Sequence, residues 1–215
     1  MKKLLTVAVA AVAALTFSTA ASANHDIAKG DPVSIYKYDL DTVQPDDATT
    51  VDDGLSGRAM VKVKGDQVTV MVKARGFEPG QLVHAQHLHG DLAGGNECPT
   101  VADDADMDGL ISTVEGIPSY GGVKVSLTTS GDTSSASALA VDRFPVADAD
   151  GEIDYKRTFT AEGDLLAGIG NLHVVLHGLD LNDSGAYDFE AGTSSLNPEL
   201  PLEATIPALC GGPLG

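Results

Sequence analysis

MVKVKGDQVTVMVK, residues 60–73, alternates apolar and polar side chains on both sides of Gly65-Asp66. An alternation of period two places successive side chains on opposite faces of a strand. Two such runs joined by a two-residue turn containing glycine read as a β-hairpin. Outward from it, residues 123–127, 153–160 and 172–177 carry the same strand signal, separated by clusters of Gly, Asp and Ser. No segment after residue 23 shows a sustained helical period with caps. Short strands and 24 glycines predict an all-β fold, an antiparallel Greek-key sandwich or barrel with long loops.

The first residues bear on compartment. Lys2 and Lys3 precede an apolar run over 4–15, and Ala21-Ser22-Ala23 has the small-x-small pattern of a cleavage site. Residues 1–23 therefore read as a signal peptide cleaved near Ala23, which makes the chain secreted or periplasmic. The apolar run is shorter than the roughly 20 residues a spanning helix needs. Residues 24–55 form an acidic arm or linker, in which Val33-Ser34-Ile35-Tyr36-Lys37-Tyr38 has the pattern of an edge strand; residues 56–215 make the β domain. The chain has 31 acidic and 13 basic residues, a net charge of −18. That balance argues against nucleic acid or an anionic membrane as partner and suits divalent cations or plain solubility. Cys98 and Cys210 are the only cysteines. In an oxidising compartment two cysteines most simply form one disulfide, the alternative being two buried thiols.

Three of the six histidines lie in HAQHLHGDLAGGNEC, residues 84–98. On a strand His87 and His89 point the same way and Leu88 points to the core. In His173-Val174-Val175-Leu176-His177 both histidines share a face with Val175, while Leu172, Val174 and Leu176 face the core. Each cluster alone also suits core histidines with satisfied hydrogen bonds. Together, in a chain poor in histidine, they suggest a metal site, and imidazole suits copper and zinc better than calcium or magnesium.

The stretch over 68–98 resembles the metal-binding region of the copper–zinc superoxide dismutases. Gly76-Phe77-Glu78-Pro79-Gly80 is similar to that family's Gly-Leu-x-x-Gly turn. His84-Ala85-Gln86-His87-Leu88-His89 is similar to its His-Gly-Phe-His-x-His, with Cys98 nine residues on as in the family. Residues 170–177 resemble its Gly-x-x-x-Val-Val-His pattern with one residue inserted or shifted, and Ala208-Leu209-Cys210-Gly211 its Leu-Ala-Cys-Gly ending. The resemblance implies copper held by His87, His89 and His177, His84 as a structural histidine behind the site, and a Cys98–Cys210 disulfide. His173 has no family counterpart and reads as a substitute ligand or a group behind the ligands. Two departures matter. No histidine occurs between Cys98 and His173, so a bridging imidazole and a zinc site of the family type are absent. Pro207 stands where the family has an arginine that guides superoxide. A strongly acidic chain without that arginine repels an anionic substrate.

Where the zinc loop would lie, Asp104-Ala105-Asp106-Met107-Asp108-Gly109-Leu110-Ile111-Ser112-Thr113-Val114-Glu115 matches the EF-hand calcium loop. Oxygen ligands would come from Asp104, Asp106, Asp108, the Leu110 carbonyl, Ser112 and Glu115, with Gly109 making the sharp turn. Cys98-Pro99 before it and Gly116-Ile117-Pro118 after it leave little room for flanking helices, so a helix-less calcium loop is expected. Residues 148–151 and 180–188 are weaker echoes without a twelfth acid.

These readings predict an exported copper-binding, superoxide-dismutase-like protein, with superoxide or metal ions as its partners. The alternative is a non-catalytic metal-binding or structural domain stabilised by calcium and one disulfide. A zinc hydrolase on the same histidines lacks an evident general base beyond Asp91 or Glu97.

Overall fold

The computed structural model describes residues 32–45, 54–80 and 82–215. The expected signal peptide and part of the acidic arm lie outside the described residues. Eight strands form a single antiparallel sheet: β1 (Val33–Thr42), β2 (Ser56–Lys64), β3 (Gln67–Arg75), β4 (Gln86–His89), β5 (Val123–Ser126), β6 (Ile153–Thr160), β7 (His173–His177) and β8 (Pro207–Gly211). Their order across the sheet is β5-β4-β7-β8-β1-β2-β3-β6. The all-β class is therefore the one the sequence predicts.

The hairpin β2–β3 pairs from Ser56↔Arg75 to Lys64↔Gln67, and Gly65 supplies the positive φ (58°) that its two-residue turn requires. The alternation in its sequence becomes a buried face of Ala59, Val61, Val68, Val70, Val72 and Ala74. β1 is longer than the expected edge strand and runs into the interior of the sheet. Between Val33 and Leu40 it pairs with β2 alone among the strands. At Asp41 and Thr42 it also joins β8, which links the two halves of the sheet.

β4, β7 and β8 are buried on both faces. Leu88, Val174, Leu176 and Leu209 join the main core with Tyr38, Leu40 and the hairpin. The opposite face holds His87, His89, Val175, His177 and Cys210, and the long connections cover it. The sheet curls on itself: Tyr155 and Arg157 of β6 donate hydrogen bonds to the Thr128 carbonyl just beyond β5 (3.1 and 2.6 Å).

Two α-helices among the described residues correct the expectation of none, α1 (Thr113–Tyr120) and α2 (Gly163–Gly168). α1 is set by a capping box. Ser112 Oγ accepts from Glu115 N, the Glu115 carboxylate accepts from Ser112 N, and Gly121 closes the other end with φ 79°. No helix among the described residues is long and apolar enough to cross a membrane.

Candidate metal centre

β4 and β7 are adjacent and antiparallel, with Gln86 opposite Leu176 and His89 opposite His173. This register sets His87, His89 and His177 on one face, their ring centroids 5.2–5.6 Å apart. One nitrogen of each ring lies within 4.8 Å of one nitrogen of each of the others, so the three could hold a metal ion. Nitrogens about 2.0–2.1 Å from one ion stand roughly 3.3–4 Å apart, so small ring rotations suffice.

Each ring is oriented by a backbone carbonyl that can only accept. His87 Nε2 donates to Ala138 O (3.0 Å), His89 Nδ1 to Gly121 O (2.8 Å) and His177 Nδ1 to Thr205 O (2.8 Å). Those bonds fix the tautomers and leave lone pairs on His87 Nδ1, His89 Nε2 and His177 Nε2. All three of these nitrogens are buried and have no hydrogen-bond partner among the described residues. A buried polar atom without a partner costs free energy, and one such nitrogen on each ring of the cluster suits an electrophile shared by the three.

Burial also keeps the rings neutral. It pushes His177 down to about 4 and His89 to about 3. His87 lies well below its ordinary value, by burial first and then by the neighbouring imidazoles of His177 and His89. Neutral imidazole is the form that binds metal. The carbonyls come from three different connections: the end of α1, the turn at 138, and the segment leading into β8. Tyr120 of α1 packs its ring 4.6 Å from His89 and donates to Thr113 O.

His173 and His84 stand apart from the three. His173 begins β7 opposite His89, where a Cβ on Gly212 would meet its ring at 2.8 Å. His84 packs on Phe77 with ring centroids 4.2 Å apart, and its Nδ1 is 3.2 Å from Tyr187 Oη. Neither belongs to the group of three whose nitrogens lie within 4.8 Å of one another. Cys98 and Cys210 form a disulfide and join a small second core with Val43, Ile111, Tyr120 and Val175.

The acidic loop also takes shape. Asp104, Asp106 and Asp108 bring carboxylate oxygens within 4.8 Å of one another, and Asp104 Oδ1 is buried without a partner among the described residues. Gly109 (φ 90°) donates its N–H to Asp104 Oδ2. The expected lack of a flanking helix is corrected. α1 follows directly, because Ser112 and Glu115 serve as its cap while Glu115 Oε1 reaches back to Ala105 N and Oε2 holds Ser112 N. The Leu110 amide donates to Asp108 Oδ1.

Residues 180–188 repeat this conformation. Asp183 and Gly185 have positive φ as Met107 and Gly109 do, and Gly185 N donates to Asp180 Oδ2. The missing twelfth acid is replaced in space by Glu203, which accepts from Leu181 N and Asp188 N as Glu115 does from Ala105 N and Ser112 N. Glu203 is completely buried, and nothing in the local sequence pattern signals it. Residues 148–151 make a simple turn in which Asp148 Oδ1 accepts from Asp150 N and Glu152 N.

The chain matches no known family model and is not significantly similar to any curated protein.

Proposed function

We propose that this chain is an exported copper-binding protein that holds one copper ion on His87, His89 and His177 without a companion zinc. The observation that carries the reading is the set of three buried, unpartnered lone pairs, on imidazoles whose other nitrogens are tied to carbonyls. An all-imidazole set suits copper and zinc, and the general affinity order for divalent ions puts copper ahead. Copper bound there would supply one-electron redox chemistry. The chain's part is to hold the imidazoles neutral and fix their tautomers. Export fits the disulfide, since such bonds persist in oxidising compartments.

Isothermal titration of the metal-free chain with copper is expected to give one ion per chain. His87→Ala and His177→Ala should each weaken it more than about 100-fold, beyond what loss of an outer-shell partner costs. Unchanged affinity in both variants would sink the reading.

A second reading, dismutation of superoxide, is favoured by the resemblance of the 84–98 stretch and by both cysteines being in register. Superoxide consumption by the copper-loaded chain, compared with free copper at equal concentration, decides it. A rate no better than free copper leaves the non-catalytic copper-binding reading.

We also propose calcium at residues 104–115, on Asp104, Asp106, Asp108, the Leu110 carbonyl, Ser112 and Glu115. The buried, unpartnered Asp104 Oδ1 within a ring of carboxylates supports it. A ligand bound only by the folded state stabilises that state, by about 2.7 kcal/mol at 100 times its dissociation constant. Calcium should therefore raise the melting temperature of the wild type and leave Glu115→Gln unmoved. A wild type that does not respond overturns the assignment.

A further inference from the structure

We propose that the copper position takes, as its exogenous ligand or substrate, a small molecule with one Lewis-basic atom on an apolar body. This rests on the copper reading above and names the ligand class of the same site. A cavity of about 310 Å³ opens over His87, His89 and His177. Its walls come from Ile117 of α1, Val123 of β5, Leu139 and Val141 of the 138–143 turn, Leu196 and Ala204.

Among the described residues the cavity is lined by no Asp, Glu, Lys or Arg, although the chain carries 31 acidic and 13 basic residues. Its polar side chains are the three histidines, Thr113 and Thr205, and all of them are already engaged. The histidine N–H groups go to carbonyls. Thr113 Oγ1 donates to Thr205 O, and Thr205 Oγ1 donates to Ser194 Oγ (2.7 Å). No side-chain cation or free donor is left to hold a charged ligand away from the metal, and burying such a ligand unpaired is costly. The one polar feature inside is the set of lone pairs that would hold copper.

A small inorganic anion on that copper would leave most of the cavity as water against apolar walls. A ligand with an apolar body would displace that water, and the gain scales with the area it buries. Ile117, Leu139, Val141 and Leu196 are also partly exposed, so the apolar lining continues out to solvent along the way in.

The test uses the full chain loaded with copper(II), titrated with imidazole, 4-phenylimidazole and azide and followed by visible absorption and electron paramagnetic resonance. 4-Phenylimidazole is expected to bind at least about tenfold more tightly than imidazole, as burial of its ring predicts. Leu139→Gln, at a partly exposed lining position, should cut that preference to about threefold or less while copper affinity stays unchanged. Equal affinity for the two azoles, azide binding as tightly as 4-phenylimidazole, or a preference unaltered by Leu139→Gln overturns the proposal. So does sedimentation showing a dimer that Leu139→Gln dissociates, because the mouth would then be the seat of a second copy. Loss of the copper signal itself would instead overturn the copper reading, and this inference with it.

Discussion

Replacing Cys98 and Cys210 together with serine lowers the stability of the chain by about 4–5 kcal/mol. The two cysteines are 112 residues apart, and the chain-entropy model gives about 4.7 kcal/mol for a loop of that order. Native contacts add to the loss. Cys210 sits on β8 opposite Val175 of β7, and Cys98 packs against a small core that includes Ile111 and Tyr120. The bond therefore holds the covering segment down on the outer face of β7 and β8. Gly121, whose carbonyl orients His89, ends the helix that this segment leads into. Urea denaturation of the double variant and the wild type measures the first effect, and a difference below about 1 kcal/mol would contradict the entropic account. Copper titration measures the second. Affinity should fall even though no ligand is altered, because the carbonyl that fixes the His89 tautomer is less firmly placed.

The half of the sheet built from β1, β2, β3 and β6 was legible in the sequence because it is amphipathic. Met60 to Lys73 alternate because one face meets the core and the other meets water. β4, β7 and β8 lack that alternation, since loops bury their outer face as well, and histidine there marks a site instead of a solvent face. His87 and His89 could be placed on one face from the strand period alone. That His177 joins them and His173 does not was beyond the strand pattern, because the β4–β7 register sets His173 directly opposite His89 and yet the nitrogens that converge belong to His87, His89 and His177. α1 was missed although its signals stand in the sequence. Ser112 and Glu115 satisfy a calcium loop and a capping box with the same atoms, and Gly116 and Pro118 are poor helix formers that hid the period. Glu203 was beyond reach, because only the fold brings it to residues 181 and 188. The three carbonyls that orient the ligand imidazoles, from Gly121, Ala138 and Thr205, carry no side-chain signature at all. The apolar lining of the cavity was equally hidden, since Ile117, Leu139, Val141 and Leu196 come from three separate connections.

The metal-free chain should lose stability as the pH falls from about 6.5 towards 4. Burial pushes the imidazoles of His84 and His177 down to about 4 and that of His89 to about 3, and it holds His87 well below its ordinary value. In the unfolded chain each titrates near 6.5. Between those values the unfolded state binds protons that the folded state refuses, so acid favours unfolding by about 1.4 kcal/mol per pH unit for each such group. The contribution is complete above about 6.5 and is exhausted once the pH drops below the folded value. Glu203, raised by burial, works in the opposite sense near the ordinary carboxylate range, so the histidines are read best between pH 6.5 and 5.5. Urea midpoints of metal-free wild type and His177→Gln across that interval isolate one group. The wild type should lose about 1 kcal/mol more over that interval, since the unfolded histidine goes from half to about nine-tenths protonated there, and parallel slopes would refute the depressed pKa. The same depression governs the metal. A proton competes with copper for a lone pair only where the folded imidazole accepts it, near 4 for His177 and 3 for His89. In the folded chain copper should therefore stay bound well below the pH at which free imidazole releases it, and its loss should coincide with unfolding. Release at pH 6 from protein that remains folded would show that these imidazoles take up protons far above their depressed values, contrary to the effect of burial on them.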